Sequence, residues 1–271
     1  MTVLSAELSE FADTIRSRAD ARIGSYVDCL DRQQRFSPQV WRELADMEMF
    51  SLCVPVEVGG LGGSFLAFAV ATEAIARTSA AAALYPGTTV QVATSILQHG
   101  TPEQIERWLP ALVRGDSPAA WAFTEPQTGS DPRQLTTAAR REGDGWRLHG
   151  QKLFISYARQ AALALVFART PAGGVGAFVV HTDQEGWSTG EPFELLALGG
   201  GESAPIFLDD VFVPDTDVLG DPESGFEVML SASGRFNVTV RTGPSASTKR
   251  VSPVGSPFNA HAAPASFGSA L

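Results

Sequence analysis

From the N-terminus to about residue 116, apolar residues recur at three- and four-residue spacing. Leu4, Leu8, Phe11, Ile15 and Ala19 form one stripe along an amphipathic helix. Ser37-Pro38 supplies an N-cap and then a proline at the first helical position, where its missing N–H costs nothing; Trp41, Leu44 and Met47 follow on one side. The run Val58–Gly63, VGGLGG, holds too many glycines for regular structure and predicts a loop. Ser64 then caps a helix with Phe65, Phe68, Thr72 and Ile75 on one face. Thr101-Pro-Glu-Gln104 is a capping box with proline in the first turn, and Ile105, Trp108, Leu109 and Leu112 continue at helical spacing. Trp41 and Trp108 lie on these stripes and are expected in the core. Residues 1–117 therefore predict an all-helical domain.

Near Pro118 the period changes. Short segments rich in β-branched and aromatic residues alternate with Gly, Pro and Asp, as strands and turns do. Candidate strands are Ala119–Thr124, Leu135–Arg141, Trp146–Leu148, Lys152–Ser156, Ala162–Arg169, Gly176–His181 and Ile206–Val213. Glu142-Gly-Asp-Gly145 reads as a hairpin turn, and His149 before Gly150 as a surface histidine at a second turn. The spacing predicts an antiparallel β-sandwich or barrel over 118–222 rather than β-α-β units, and no GxGxxG follows a strand. The fold class expected is α+β: a helical N-terminal domain, an antiparallel β-domain, the start of a further helical domain over 223–242, and a tail. That tail, 243–271, has 19 Ser, Ala, Pro or Gly among its 29 residues and no acid. Such a segment buries too little apolar surface to offset its ordering entropy, so disorder is expected.

Composition narrows the classes of function. Lys+Arg 20 against Asp+Glu 30 gives a net charge of −10, which offers no electrostatic footprint for nucleic acid or an anionic membrane. Cys29 and Cys53 have no metal-type spacing, so neither a zinc site nor a disulfide framework is expected. No apolar run approaches the roughly 18 residues that cross a bilayer. The N-terminus brings acids by Glu7 and lacks a secretory apolar stretch, so a cytoplasmic protein is expected.

The chemistry concentrates in Trp121-Ala-Phe-Thr-Glu-Pro-Gln-Thr-Gly-Ser-Asp131, between two strand candidates. Thr124, Thr128 and Ser130 offer hydroxyls, Gly129 allows close backbone approach, and consecutive loop amides can face an electron-rich edge. By itself the segment fits a flavin site, a phosphate site or an ordinary polar turn. The Glu125 carboxylate reads as ordering this loop rather than as a base.

Beyond Asp131 comes His149-Gly-Gln-Lys-Leu-Phe-Ile-Ser156. Together these stretches resemble the TEP-x-x-GSD and NG-x-K-x-x-I-[ST] motifs of the acyl-CoA dehydrogenase family. Pro55–Gly63, Gly100-Thr-Pro-Glu-Gln104 and Asp209-Asp-Val-Phe-Val-Pro214 before Leu219-Gly220 add matches in the same order. The resemblance implies FAD held between a helical and a β-domain, and α,β-dehydrogenation of an acyl thioester, on CoA or an acyl carrier protein, with electrons leaving to an external acceptor. By matching position, Trp121, Phe123 and Thr124 would line the isoalloxazine. Gly129 and Ser130 would reach the pyrophosphate or the CoA part of the substrate, and Phe154, Ile155 and Ser156 would meet the other ring face. Phe154 stands where a Trp is common, and Ser156 where a Thr is.

The chain also departs from that pattern. Arg235 stands where the family has a substrate-binding arginine, but Ala232 replaces the Asp of that motif. No residue matches the glutamate that takes the α-proton, so no catalytic residue is assigned; the base is expected in a C-terminal helical bundle that this sequence lacks. A truncated or frameshifted, impaired member is expected, with weak flavin retention and doubtful oligomerisation. The alternatives are a non-catalytic pseudoenzyme or interaction module, and a flavin-dependent oxidase or monooxygenase on the same scaffold.

Overall fold

In the computed structural model, residues 4–129, 131 and 134–240 are described, with side chains as far as Ala232. The tail expected over 243–271 lies outside the described residues, as do Ser130 and the side chain of Arg235.

Six helices come first: α1 (Ala6–Ile23), α2 (Val27–Gln33), α3 (Pro38–Asp46), α4 (Phe65–Ala76), α5 (Ala80–His99) and α6 (Pro102–Arg114). Side-chain oxygens of Ser5, Ser37, Ser64, Ser79 and Thr101 accept the orphan amides that open α1, α3, α4, α5 and α6. Gln104 completes the capping box by accepting the Thr101 amide at 3.0 Å. Its amide nitrogen also donates to the Thr216 and Val218 carbonyls, each at 2.8 Å, tying α6 to the segment that follows the sheet. Ile15, Ile23, Trp41, Leu44, Phe68 and Tyr85 meet in the helical core. The sequence pattern did not single out α5, because Pro86 and Gly87 interrupt it. Burial of Ala82, Tyr85, Val90, Ala93 and Ile96 on both sides carries the helix through them.

Seven strands follow: β1 (Ala119–Ala122), β2 (Ala138–Glu142), β3 (Gly145–Ser156), β4 (Leu163–Arg169), β5 (Val175–His181), β6 (Trp187–Thr189) and β7 (Ser203–Pro214). The pairs β2–β3, β3–β7, β4–β5 and β6–β7 are antiparallel, as the spacing predicted. β1, however, runs parallel to β4, with Ala119–Ala122 against Leu163–Val166, so the curled sheet is mixed. β4 is an almost continuous apolar run because both its faces are covered. Ala164 and Val166 join Leu148, Phe178, Ile206 and Val211 inside the curl, while Leu165 and Phe167 meet Val92, Trp108 and Leu112 of the helices.

The second expected turn is absent. Trp146–Leu148 and Lys152–Ser156 belong to one strand, β3, and His149 is an exposed residue within it, 3.6 Å from Asp209. Gly150 marks a bulge, not a reversal: a β-carbon there would stand 2.7 Å from the Thr137 Cα. A last helix, α7 (Gly225–Val240), returns against α5, where His99 Nε2 lies 2.8 Å from Ser231 Oγ.

Candidate functional site

β1 runs on through Phe123 and Thr124 into a tight turn, closed by Glu125 N–H to Thr128 O at 2.8 Å and Thr128 N–H to Glu125 O at 3.1 Å. The Thr128 hydroxyl donates to the Asp131 carbonyl. Leu153 of β3 donates its amide to the Thr124 carbonyl at 2.8 Å, so the loop and the end of β3, distant in sequence, lie side by side. Trp121 and Phe123 set their rings 4.9 Å and 6.0 Å from that of Phe167.

At the end of β3 the register against β7 slips between Lys152 and Ile155. Phe154 occupies the slip with φ +57°, a left-handed conformation that costs a bulky residue energy. The bulge turns the ring outward: it is 58% exposed and lies against Phe193 at 4.8 Å between centroids. Ile155 points the other way, into the sheet core. Ser156 is half-buried and lies opposite Ser203 of β7. The Ser203 hydroxyl is buried and finds no hydrogen-bond partner among the described residues.

Directly behind this surface lies a fully buried ion pair. Lys152 Nζ donates to Glu125 Oε1 at 2.8 Å, and both side chains are 0% exposed. The remaining lysine hydrogens go to the carbonyls of Phe167 at 2.5 Å and Phe123 at 3.3 Å. Glu125 Oε1 also accepts the Thr137 amide at 3.0 Å; Oε2 accepts the Thr136 amide at 2.7 Å, the Thr136 hydroxyl at 2.8 Å and the Gln127 side chain at 3.0 Å. Burial pushes the Glu125 carboxyl up, but the Lys152 ammonium and these donors outweigh it and hold the group well below the usual carboxylate range. Burial draws Lys152 down, with Glu125 resisting. A carboxylate this committed orders the loop, as the sequence indicated, and offers no base.

Of the residues named from sequence, Thr124, Gly129, Phe154 and Ser156 thus flank the junction of loop and strand. A β-carbon on Gly129 would meet Thr124 Cγ2 at 3.4 Å. Trp121, Phe123 and Ile155 back that junction through core contacts. Sequence reasoning missed Ser203, which no motif marks, and gave Lys152 no role. A lone lysine inside an otherwise apolar strand end was the available signal for the second. Among the described residues no group of His, Cys, Asp and Glu could hold a metal ion, and no helix is long and apolar enough to cross a membrane.

Residues 5–116 match the family model "Acyl-CoA dehydrogenase, N-terminal domain", and residues 120–211 match "Acyl-CoA dehydrogenase, middle domain". The chain is 34% identical over 233 residues to a 3-(aryl)acrylate reductase of Clostridium sporogenes, covering 83% of this chain and 62% of that protein. Its fold superimposes on butyryl-CoA dehydrogenase from Megasphaera elsdenii with a TM-score of 0.83 at 25% identity, covering 89% of this chain and 65% of the other. A glutaryl-CoA dehydrogenase from Mycobacterium smegmatis, solved with FADH2, gives 0.82 at 26% identity, covering 88% and 61%. The chain spans about three fifths of the length of the curated relatives it matches.

Proposed function

This chain belongs to the acyl-CoA dehydrogenase family, and from that membership we propose that it binds FAD at the junction of the Thr124–Gly129 loop and the Phe154–Ser156 strand end, in the service of acyl-thioester α,β-dehydrogenation. We take 1–117 as its helical domain, 118–222 as its β-domain and 223–242 as the opening of a further helical one. The observation that carries the reading is the 2.8 Å bond from Leu153 to Thr124, which joins the two stretches into one surface.

The residues fit a flavin. Hydroxyls of Thr124, Ser156 and Ser203, the last without a hydrogen-bond partner among the described residues, are a donor set for a polar ring edge, and the outward Phe154 ring is a stacking platform. FAD, when bound, supplies the hydride acceptor. The part played by this chain is to place donors at the edge where negative charge builds up, and to keep water from one ring face. Gly129 leaves room for close backbone approach, and Ser130 and Arg235 are assigned to the pyrophosphate and the acyl-CoA or acyl-carrier-protein thioester. The Phe154 ring is largely exposed, so the platform it offers FAD is open to solvent, and a loose hold on FAD follows. Electrons would leave to an external acceptor. The base is not Glu125, whose oxygens are already saturated.

The test is anaerobic addition of short, branched and aryl acyl-CoAs to the FAD-loaded protein. Bleaching of the visible flavin band by any of them supports dehydrogenation; a flavin that binds but resists all of them, and reacts with none as its acyl-carrier-protein thioester, contradicts it.

A further inference from the structure

The Glu125–Lys152 pair is costly to bury. Taking two charges out of water carries a large desolvation penalty, and an apolar pair of similar volume is often as stable or more so. Stability alone therefore does not account for it, and its placement does. Lys152 is the last residue of β3 in regular register before the slip that frees Phe154, and Glu125 is the first residue after Thr124. The β3–β7 ladder slips between Lys152 and Ile155, the β1–β4 ladder ends at Ala122, and the Leu153–Thr124 backbone bond joins the two stretches between them. Through three donors and five acceptor contacts the pair joins the end of β1 at Phe123, the turn, the 136–137 segment, β3 and β4 at Phe167. Charged hydrogen bonds hold fixed lengths and directions, which packed methylenes do not.

We propose that the Glu125–Lys152 pair is the positioning element of the flavin site, fixing Thr124 against Phe154 where the β3–β7 ladder slips and the Leu153–Thr124 backbone bond joins loop to strand. The inference rests on the flavin reading above, and neither residue touches the flavin.

The experiment compares the full chain with E125Q, K152M and the apolar double variant E125L/K152M, by melting temperature without FAD and by FAD titration. Each single variant strands a partner and melts lower. The double variant recovers most of the melting temperature, yet its FAD affinity stays down by about tenfold or more, the range seen when groups supporting a binding site are lost. The visible band of its bound flavin also loses fine structure. FAD affinity in the double variant within twofold of the parent overturns the positioning role while leaving the flavin reading intact. So does affinity that falls and recovers in step with melting temperature across the series. If the double variant does not fold, E125Q carries the test: it keeps the shape of the side chain, and unchanged FAD affinity in it overturns the proposal. Absence of FAD binding by the parent chain overturns the flavin reading itself, and the proposal with it.

Discussion

Leu153 donates its backbone amide to the carbonyl of Thr124 at 2.8 Å, closing a gap of 29 positions with one hydrogen bond. Everything proposed for the site follows from that contact. It makes the end of β1 a neighbour of the end of β3, although β1 takes its ladder from β4. Thr124 and Phe154 are thereby presented together, on top of a buried charge pair that holds both.

The charge pair gives the fold an acid-labile component. The folded chain holds Glu125 at about 2, against an ordinary 4.5, chiefly because Lys152 and the threonine amides overcome the effect of burial. Between these values the unfolded chain binds a proton that the folded one refuses, so this contribution is complete above pH 4.5 and is lost as pH falls toward 2. In that window it makes up to about 1.4 kcal/mol of stability per pH unit. Denaturant melts across pH 2–5 should show a shallower fall for Glu125→Gln than for the parent. Equal slopes would place the carboxyl at its ordinary value.

Gln104 joins the helical part to the sheet. Replacing it with Ala leaves the Thr101 amide and the Thr216 and Val218 carbonyls without their partner. A loss of about 2–3 kcal/mol follows, which lowers the melting temperature by about 5–10 °C. Thr101→Ala removes the cap alone and should cost about 1 kcal/mol. Calorimetry on the two variants separates the effects, and equal losses would show that the inter-domain bonds contribute nothing.

Much of this architecture was legible in the sequence. Helix caps at Ser37, Ser64 and Thr101, the VGGLGG loop and the buried run of β4 follow from local rules that the tertiary fold does not override. The parallel join of β1 to β4 was not legible, since it depends on contacts 44 residues apart, Ala119 with Leu163, that no periodicity records. His149-Gly150 misled because a glycine in a β segment signals both turns and bulges. The deciding fact is the approach of Thr137 to the empty side of Gly150. The strained Phe154, the buried Ser203 and the task of Lys152 also lie beyond sequence rules, because each depends on what β7 or the loop places beside it.

Gly150 supplies its own test. It has φ +151° and Thr137 Cα and Oγ1 both 2.7 Å from the site of a β-carbon. Gly150→Ala should destabilise by more than about 1 kcal/mol, through strain and backbone displacement. Gly143, at the hairpin tip with φ +59° and no atom near its missing side chain, should lose about 1 kcal/mol at most on the same change. Chemical denaturation reads both, and a Gly150→Ala variant as stable as the parent would contradict the bulge.

Phe154 separates fold from site. Its left-handed backbone is native to glycine, and its ring is mostly outside the core. Phe154→Gly should leave stability unchanged or raise it by about 1 kcal/mol. The same change removes the stacking platform and should weaken FAD binding. A variant that melts several degrees lower would make the ring a structural element instead.

The most direct measurement is an FAD titration, followed by quenching of flavin fluorescence, on the parent, Thr124→Val and Ser156→Ala proteins side by side. The account predicts saturable binding to a single class of site, weakened about fivefold by each substitution, the worth of one hydrogen bond of about 1 kcal/mol. Failure of the parent to quench the flavin, or identical isotherms for all three proteins, would contradict it.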